Sequence, residues 1–315
     1  MAALFGIVAP VFALIGLGAA AIRLRLLDTG AVKGMSDFVF YLAMPSLLFR
    51  SMVTAPPLRL LDVAGSFIAG ALLLFVLAAL LSRLVLRARI ATAGVFALNA
   101  VFGNTVMLGV PIIDSAYGTE GVAYLLAVVA FHSALLLPLA TILIEADGSG
   151  PGGHRGPLAV LRAVLPGLLR NPVVMVIVAA MVWRATGLGL AEPVERLLHL
   201  LGAAGPPLAL FCLGATLPRP GGPKPEGLKG LRDVALASAL KLLVMPALVA
   251  VFAWLAGVRD VAFAVVVLAA AMPTGANAFM LARRFGTMME ASASTVVVST
   301  ALSLLSLTAL LGWLR

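Results

Sequence analysis

Ten stretches of about 20 apolar residues follow one another along this chain, and they constrain its fold more than any motif does. An α-helix needs about 20 apolar residues to cross the ~30 Å hydrocarbon core of a bilayer. Ten such stretches leave little chain for a soluble domain, so the sequence predicts an all-α polytopic membrane protein with ten transmembrane helices. The stretches are residues 4–22, 35–53, 62–82, 92–113, 121–143, 172–188, 196–217, 233–256, 261–282 and 291–313.

The net charge of +9 is distributed in a way that indicates membrane topology rather than nucleic-acid binding. Only 11% of the residues are charged, 62% are hydrophobic, and the mean hydropathy is +1.13. Counted from the N-terminus, the odd-numbered connections between stretches carry 15 of the 22 Lys and Arg residues. Cytoplasmic loops are enriched in Lys and Arg, so these connections are predicted to be cytoplasmic and both termini to lie outside. Membrane lipid is an expected partner, and nucleic acid is not.

The first stretch is predicted to be a retained helix and not a signal peptide. A signal peptide carries basic residues before its apolar core, whereas Arg23 and Arg25 follow the core here. This pattern fits direct insertion into a bacterial inner (plasma) membrane, which is the expected location, and composition leaves a eukaryotic membrane as the alternative.

The chain divides in the middle, at a polar segment rich in glycine that begins at Glu145. This segment separates five stretches from five. We predict a first five-helix repeat at 1–145, a cytoplasmic linker with an amphipathic helix at 146–170, and a second repeat at 171–315. Short motifs recur in the two halves, such as Tyr117-Gly-Thr119 and Phe285-Gly-Thr287. Because five is odd, the second repeat must enter the membrane from the opposite side, which is an inverted repeat.

Two stretches in corresponding positions carry Gly, Pro and Asn where a spanning helix normally carries Leu or Val. They are residues 99–111 and 272–278. Non-helical backbone at membrane depth is tolerated only where it is buried in protein or lines a cavity, and paired interruptions indicate a transporter's binding site. The predicted substrate-binding residues at these interruptions are Asn99, Asn104, Pro111, Pro273 and Asn277. The alternative is that the prolines only kink packed helices.

Ionisable residues within the apolar stretches are candidates for function, and two of them, Lys241 and His132, lie well inside a stretch. Lys241 could bind substrate, or its head could extend to the cytoplasmic surface. His132 could relay a proton, or it could be a neutral core residue. All 13 acidic residues fall in connections or near the ends of stretches. A site with amides, helix N-termini and Lys241 suits an organic anion, while sodium coupling through hydroxyls and carbonyls stays open.

The last stretch carries hydroxyl residues spaced three or four apart, which places them on one helix face. Small hydroxyl residues allow close helix packing in lipid, so we predict packing for this face. Its members are Ser292, Thr295, Ser299, Ser303 and Ser306.

An ordered set of motifs over essentially the whole chain resembles the auxin efflux carrier family, which includes bacterial carriers and plant auxin exporters. The motifs include Tyr41-Leu-Ala-Met-Pro45, Gly103-Asn104 through Pro111, Arg170-Asn171-Pro172 and Met272-Pro273 through Asn277. The resemblance implies ten helices in an inverted 5+5 repeat, with helices four and nine broken and crossing at the substrate site. It also implies that Asn171 lines the inner substrate path, and it suggests a homodimer. The short central connection favours a bacterial-type carrier.

Three classes of function remain to be separated. The first is a secondary transporter, with export favoured, that moves small organic anions such as carboxylates or auxin-like acids by alternating access. An alternative within this class is a symporter that couples a dicarboxylate or a bile-acid-like substrate to sodium ions or protons. The second is a channel. The third is an intramembrane enzyme, which the lack of zinc, nucleophile-elbow and Walker motifs disfavours. No cofactor and no metal site is expected.

Overall fold

The structure is a computed structural model that describes residues 2–54, 60–147, 162, 166, 172–216 and 227–314. Within these ranges each of the ten apolar stretches is mainly helical, and the fourth and ninth stretches each contain a short non-helical break. The predicted amphipathic helix at 146–170 lies almost entirely outside the described residues. The α-helices are α1 (Ala2–Arg23), α2 (Thr29–Phe38), α3 (Met44–Thr54), α4 (Leu60–Leu80), α5 (Ile90–Val101), α6 (Val110–Glu145), α7 (Pro172–Ala185), α8 (Glu192–Thr216), α9 (Gly227–Ala239), α10 (Met245–Leu255), α11 (Asp260–Ala271), α12 (Ala276–Phe285) and α13 (Met289–Trp313).

Five helical segments of the described chain are long and apolar enough to cross a membrane. They are Leu60–Val85, Thr105–Glu145, Glu192–Thr216, Gly227–Leu255 and Met289–Trp313. Shorter apolar helices accompany them, at Ala9–Arg23, Ile90–Val101, Pro172–Ala185 and Asp260–Ala271. The chain is thus an all-helical, multi-pass membrane protein. The ten crossings in an inverted 5+5 arrangement stay a prediction.

The longest of these segments is two helices that meet at Gly118. This glycine has φ 60° and ψ −153°, which is outside the helical region. A residue with a side chain adopts such a positive φ only with strain. Gly286, its counterpart in the predicted repeat, has φ 62° and ends α12 in a left-handed conformation. Both glycines therefore allow the chain to turn sharply after a predicted broken helix.

Widened helical turns precede three of the prolines inside the apolar stretches. Five-residue π-helical turns at Val39–Ala43, Thr105–Gly109 and Leu240–Val244 each end two residues before a proline, at Pro45, Pro111 and Pro246. Proline has no N–H to donate, and its ring clashes with the carbonyl four residues earlier. At these turns the N–H donates to the carbonyl five residues earlier instead of four. Met44 N–H donates to Val39 O, and Met245 N–H donates to Leu240 O.

The chain folds into two compact units that do not follow its order. The first contains Met1–Leu60, Thr105–Ala130 and Leu169–Leu217, and the second contains Leu61–Asn104, Phe131–Leu168 and Pro218–Arg315. Each unit draws segments from both halves of the sequence. The units are therefore a different division from the predicted repeats at 1–145 and 171–315, which stay predictions.

In the first unit, α1 and α8 pack with their backbones in contact. A Cβ added to Gly18 would meet the carbonyl oxygen of Phe211, and one added to Gly214 would meet that of Ile15, in both cases closer than real atoms approach. In lipid no hydrophobic force favours one apolar contact over another, so close approach at small residues supplies the packing energy. Only glycine fits at these two positions, because any larger side chain would clash with the facing backbone.

In the second unit, α5 is surrounded by α9, α12 and α13. All of its residues from Ala93 to Val101 are buried. Small residues again allow tight contacts, for example Gly94 of α5 against the side chain of Ile144 and Gly70 of α4 against Val249 of α10. This arrangement places the C-terminal end of α5 in the centre of the unit.

Candidate functional site

The two predicted interruptions are present, and they pair with each other inside the second unit. Helix α5 ends at Val101 and helix α11 ends at Ala271. Beyond these ends, Gly103 and Thr274 form an antiparallel β-bridge. The Asn104 N–H donates to Pro273 O at 2.8 Å, and the Gly275 N–H donates to Phe102 O at 2.9 Å. Backbone groups that lose their helical hydrogen bonds at one break are thus paired with groups at the other break. Such pairing is needed because a membrane interior offers no water to bond them.

The glycines in the breaks permit this pairing because the backbones are very close. A Cβ on Gly275 would lie 3.1 Å from the carbonyl oxygen of Gly103 and 3.1 Å from the ring of Phe102. Pro273 contributes in another way, since it has no N–H that would need a partner. Its carbonyl is the acceptor for Asn104. These residue types are therefore required locally by the close backbone pairing of the two breaks.

A buried network of polar side chains holds the two breaks in place. The Thr274 hydroxyl donates to Asn99 O at 2.9 Å, and the Thr274 N–H donates to the Ser299 hydroxyl at 3.0 Å. The Ser292 hydroxyl donates to the Asn99 amide oxygen at 3.0 Å. The Asn99 amide nitrogen donates to Val95 O at 2.9 Å. The described contacts of Asn99 are therefore with the protein itself.

The hydroxyl face of α13 supplies two members of this network. The prediction that this face is packed is confirmed for four of its five members, since Ser292, Thr295, Ser299 and Ser303 are all fully buried, while Ser306 is half-buried. The sequence did not indicate that Ser299 accepts the Thr274 N–H and that Ser292 donates to the Asn99 amide oxygen. The available signal was the position of Thr274 between Pro273 and Gly275, inside a segment already predicted to be non-helical.

Asn104 and Asn277 differ from Asn99 because they are half-buried. Among the described residues, neither side-chain amide forms a hydrogen bond, and the N–H groups of Ala276 and Asn277 in the first turn of α12 have no acceptor. The first turn of a helix leaves N–H groups unpaired and carries a partial positive charge of about half a unit. Asn277 and the start of α12 therefore offer unpaired donors beside the crossing, where Asn104 offers an amide.

Lys241 lies beside the paired breaks, buried from solvent. Its side chain has no exposed surface, and its ammonium group donates to Ala270 O in the last turn of α11. The alternative in which this side chain extends to the cytoplasmic surface is therefore wrong. The ammonium nitrogen would lie 3.4 Å from a Cβ on Gly103, so it also lies against the other break.

His132 packs against the first break. Its side chain is 2% exposed, and its ring lies 4.2 Å from the ring of Phe102, with the two planes tilted by 31°. The ring of Phe67 meets it edge-on at 5.9 Å. The geometry makes His132 part of the aromatic packing around the break. Its proposed role as a proton relay stays a prediction.

Two predicted site residues are not part of this arrangement as described. Pro111 is buried near the start of α6 and belongs to the first compact unit. Asn171 lies outside the described residues. Their roles in binding stay predictions.

A cavity of about 580 Å³ lies within the first unit. It is lined mainly by apolar and aromatic side chains, among them Tyr41, Phe49 and Trp183, with Ser46 as a small polar group. None of its described lining residues is cationic, and the Ser46 hydroxyl already donates to Leu42 O, so the cavity suits an apolar ligand better than a carboxylate. The paired breaks are therefore the better candidate for an anion site. Among the described residues, no group of three or more His, Cys, Asp or Glu side chains could hold a metal ion.

Comparison with known protein families identifies the class of this chain. A family model described as "Membrane transport protein" matches residues 3–311. The chain belongs to this family. It is the family of the auxin efflux carriers that the sequence motifs indicated, and that prediction is confirmed.

Relatives with assigned names align with most or all of this membrane transport protein. A putative malonate transporter of Rhizobium meliloti (strain 1021) is 27% identical over 323 residues, which cover 100% of this chain and 97% of the relative. Auxin efflux carrier component 8 of Arabidopsis thaliana is 22% identical, with 94% and 93% covered. The lysosomal cholesterol signaling protein of Mus musculus is 27% identical, with 78% of this chain but only 29% of that protein aligned.

Proposed function

We propose that this chain is a secondary transporter of small carboxylates that binds its substrate at the paired breaks. The observation that carries the proposal is the concentration of unpaired donors there. The amides of Asn104 and Asn277 and the first N–H groups of α12 have no described partner in the protein. Amides and helix N-termini bind anions without a buried charge.

The remaining predicted site residues are assigned by their contacts. Asn99 makes its described hydrogen bonds within the protein, so we assign it the role of positioning the breaks. Pro273 accepts the hydrogen bond of Asn104 and shapes the second break. Lys241 donates to a backbone carbonyl, so it acts on the site through the helix end. Pro111, predicted from the first interruption, and Asn171, implied by the resemblance, are also proposed to line the path.

Small dicarboxylates are the substrates to test first, because one relative is named a putative malonate transporter. Export and alternating access are proposed from the resemblance to auxin efflux carriers. We further propose ten crossings in an inverted 5+5 repeat, both termini outside the cytoplasm of a bacterial inner membrane, and a homodimer.

The test uses variants that keep the size of each amide and change its chemistry. Asn104→Asp and Asn277→Asp each replace a donor with an acceptor, whereas Asn104→Ala and Asn277→Ala remove the group. A hydrogen bond to a charged ligand contributes about 1.5–3 kcal/mol, so each Ala variant should bind malonate about tenfold more weakly or worse. The Asp variants should lose more, because they add repulsion between like charges.

The measurement is saturable uptake and counterflow of radiolabelled malonate in proteoliposomes, with thermal unfolding as the check that each variant is folded. Malonamide, which is neutral and of similar size, should not compete. Undiminished uptake in all four variants would place the substrate elsewhere. Uptake that increases linearly with concentration and shows no counterflow would indicate a channel.

A further inference from the structure

The ammonium group of Lys241 lies where two broken helices end. It donates to Ala270 O in the last turn of α11. It also lies against Gly103, which is two residues beyond the end of α5 at Val101. Lys241 is held there by the π-helical turn Leu240–Val244, which interrupts the regular helix before Pro246. The cation therefore donates to the C-terminal end of α11 and lies beside the chain just beyond the C-terminal end of α5.

The charges at this place balance without a carboxylate. The C-terminal end of a helix carries a partial negative charge of about half a unit, so two converging ends carry about one unit. The ammonium group carries one positive charge. Within the described part of the chain, no carboxylate forms an ion pair with Lys241. The helix ends are the counter-charge for the buried lysine.

Transporters with broken helices use the same feature for their coupling ion. Unwound carbonyls and the C-terminal ends of half-helices coordinate Na⁺ in such proteins. Here the carbonyl of Ala270 is already occupied by the lysine. We infer that Lys241 is a resident cation that takes the place of a coupling sodium ion. Neither the structure of the paired breaks nor transport should then require sodium. The inference deepens the proposed function, since it concerns the coupling of the same site.

Removal of the lysine head should then create a vacant cation site. Lys241→Ala leaves room for a small cation beside Ala270 O, whereas Lys241→Met removes the charge but keeps most of the volume filled. The melting temperature, Tm, of the detergent-purified protein is measured in NaCl, in propylammonium chloride and in choline chloride at equal ionic strength. A ligand that binds only the folded state raises the Tm by mass action.

For the unmodified protein we expect the same Tm in all three salts. Lys241→Ala should have a lower Tm that sodium or propylammonium raises and choline, which is bulkier, does not. Lys241→Met should also have a lower Tm, with no difference among the salts. A higher Tm of the unmodified protein in sodium than in choline would overturn the inference. So would a Lys241→Ala variant that gains no more from sodium or propylammonium than from choline.

If the Ala variant cannot be purified, the unmodified protein decides the question by the comparison of sodium with choline. Malonate uptake by proteoliposomes provides a second measurement, and it should be equal with and without an inward sodium gradient. Dependence of uptake on that gradient would overturn the inference. Absence of malonate uptake under every condition would refute the proposed substrate, while the Tm comparison would still test the role of Lys241.

Discussion

A Cβ atom on Gly275 would lie 3.1 Å from the carbonyl oxygen of Gly103. These two glycines belong to different broken helices, and their backbones approach each other in the centre of one compact unit. The Gly275 N–H donates to Phe102 O, directly before Gly103. The neighbour of Gly275 is therefore backbone that is itself held by hydrogen bonds, and it cannot move away without breaking the bridge.

Gly275→Ala should therefore destabilise the protein and reduce transport. Crowding in a packed interior costs about 1–3 kcal/mol. Gly103→Ala should cost less, because the added methyl group would meet the flexible end of Lys241 at 3.4 Å. Gly65→Ala in α4 is the control, since nothing lies within 4 Å of its added Cβ. Thermal unfolding ranks the three variants, and equal losses at positions 275 and 65 would contradict the packing argument.

Thr274→Val should destabilise the crossing, whereas Thr274→Ser should leave it nearly unchanged. Valine keeps the shape of threonine but cannot donate to Asn99 O, and an unsatisfied buried carbonyl costs about 1–3 kcal/mol. Serine retains the hydroxyl. The Tm of both variants is the measurement. A serine variant as unstable as the valine variant would show that the methyl group and not the hydrogen bond matters.

His132→Phe should keep both the Tm and the pH dependence of transport. Phenylalanine preserves a ring against Phe67 and Phe102 and removes the titratable nitrogen atoms. This expectation treats His132 as a packed aromatic residue, as its two ring contacts indicate. Malonate uptake is compared with that of the unmodified protein between pH 5 and pH 8, the range over which an ordinary histidine titrates. A pH dependence that disappears in the variant would instead assign the proton relay to His132.

Reporter fusions should place the central connection in the cytoplasm. Fusions after Gly152, in the fifth connection, are expected to report a cytoplasmic position, and fusions after Gly189, in the sixth, an external one. The physical reason is the excess of Lys and Arg in the odd-numbered connections. Two reporters are fused at each site, one active only in the cytoplasm and one active only outside. Their signals should be complementary. The opposite pattern would reverse the predicted orientation.

Much of the local structure was accessible from residue types alone. The apolar stretches located the helices because a membrane helix needs about 20 such residues. Glycine, proline and asparagine located the two breaks because they interrupt helical hydrogen bonding within their own segment. The amphipathic linker and Asn171 were also predicted, but they lie outside the described residues.

The roles of individual polar residues depended on contacts that no local pattern records. Lys241 and Asn99 both looked like binding residues, because each is polar within an apolar stretch. In the folded unit, Lys241 reaches Ala270, 29 residues away, and Asn99 bonds to Thr274 and Ser292, which are 175 and 193 residues away. Both residues therefore form hydrogen bonds that hold the breaks in place.

The sequence was sufficient for the membrane class, the helices and the places where they break, because length, hydropathy and backbone chemistry act within one segment. Only the tertiary structure showed that the breaks are joined by a β-bridge, that α13 supplies hydroxyl groups to them, and that Lys241 donates to the end of α11. These features depend on which distant segments become neighbours when buried polar groups must all find partners.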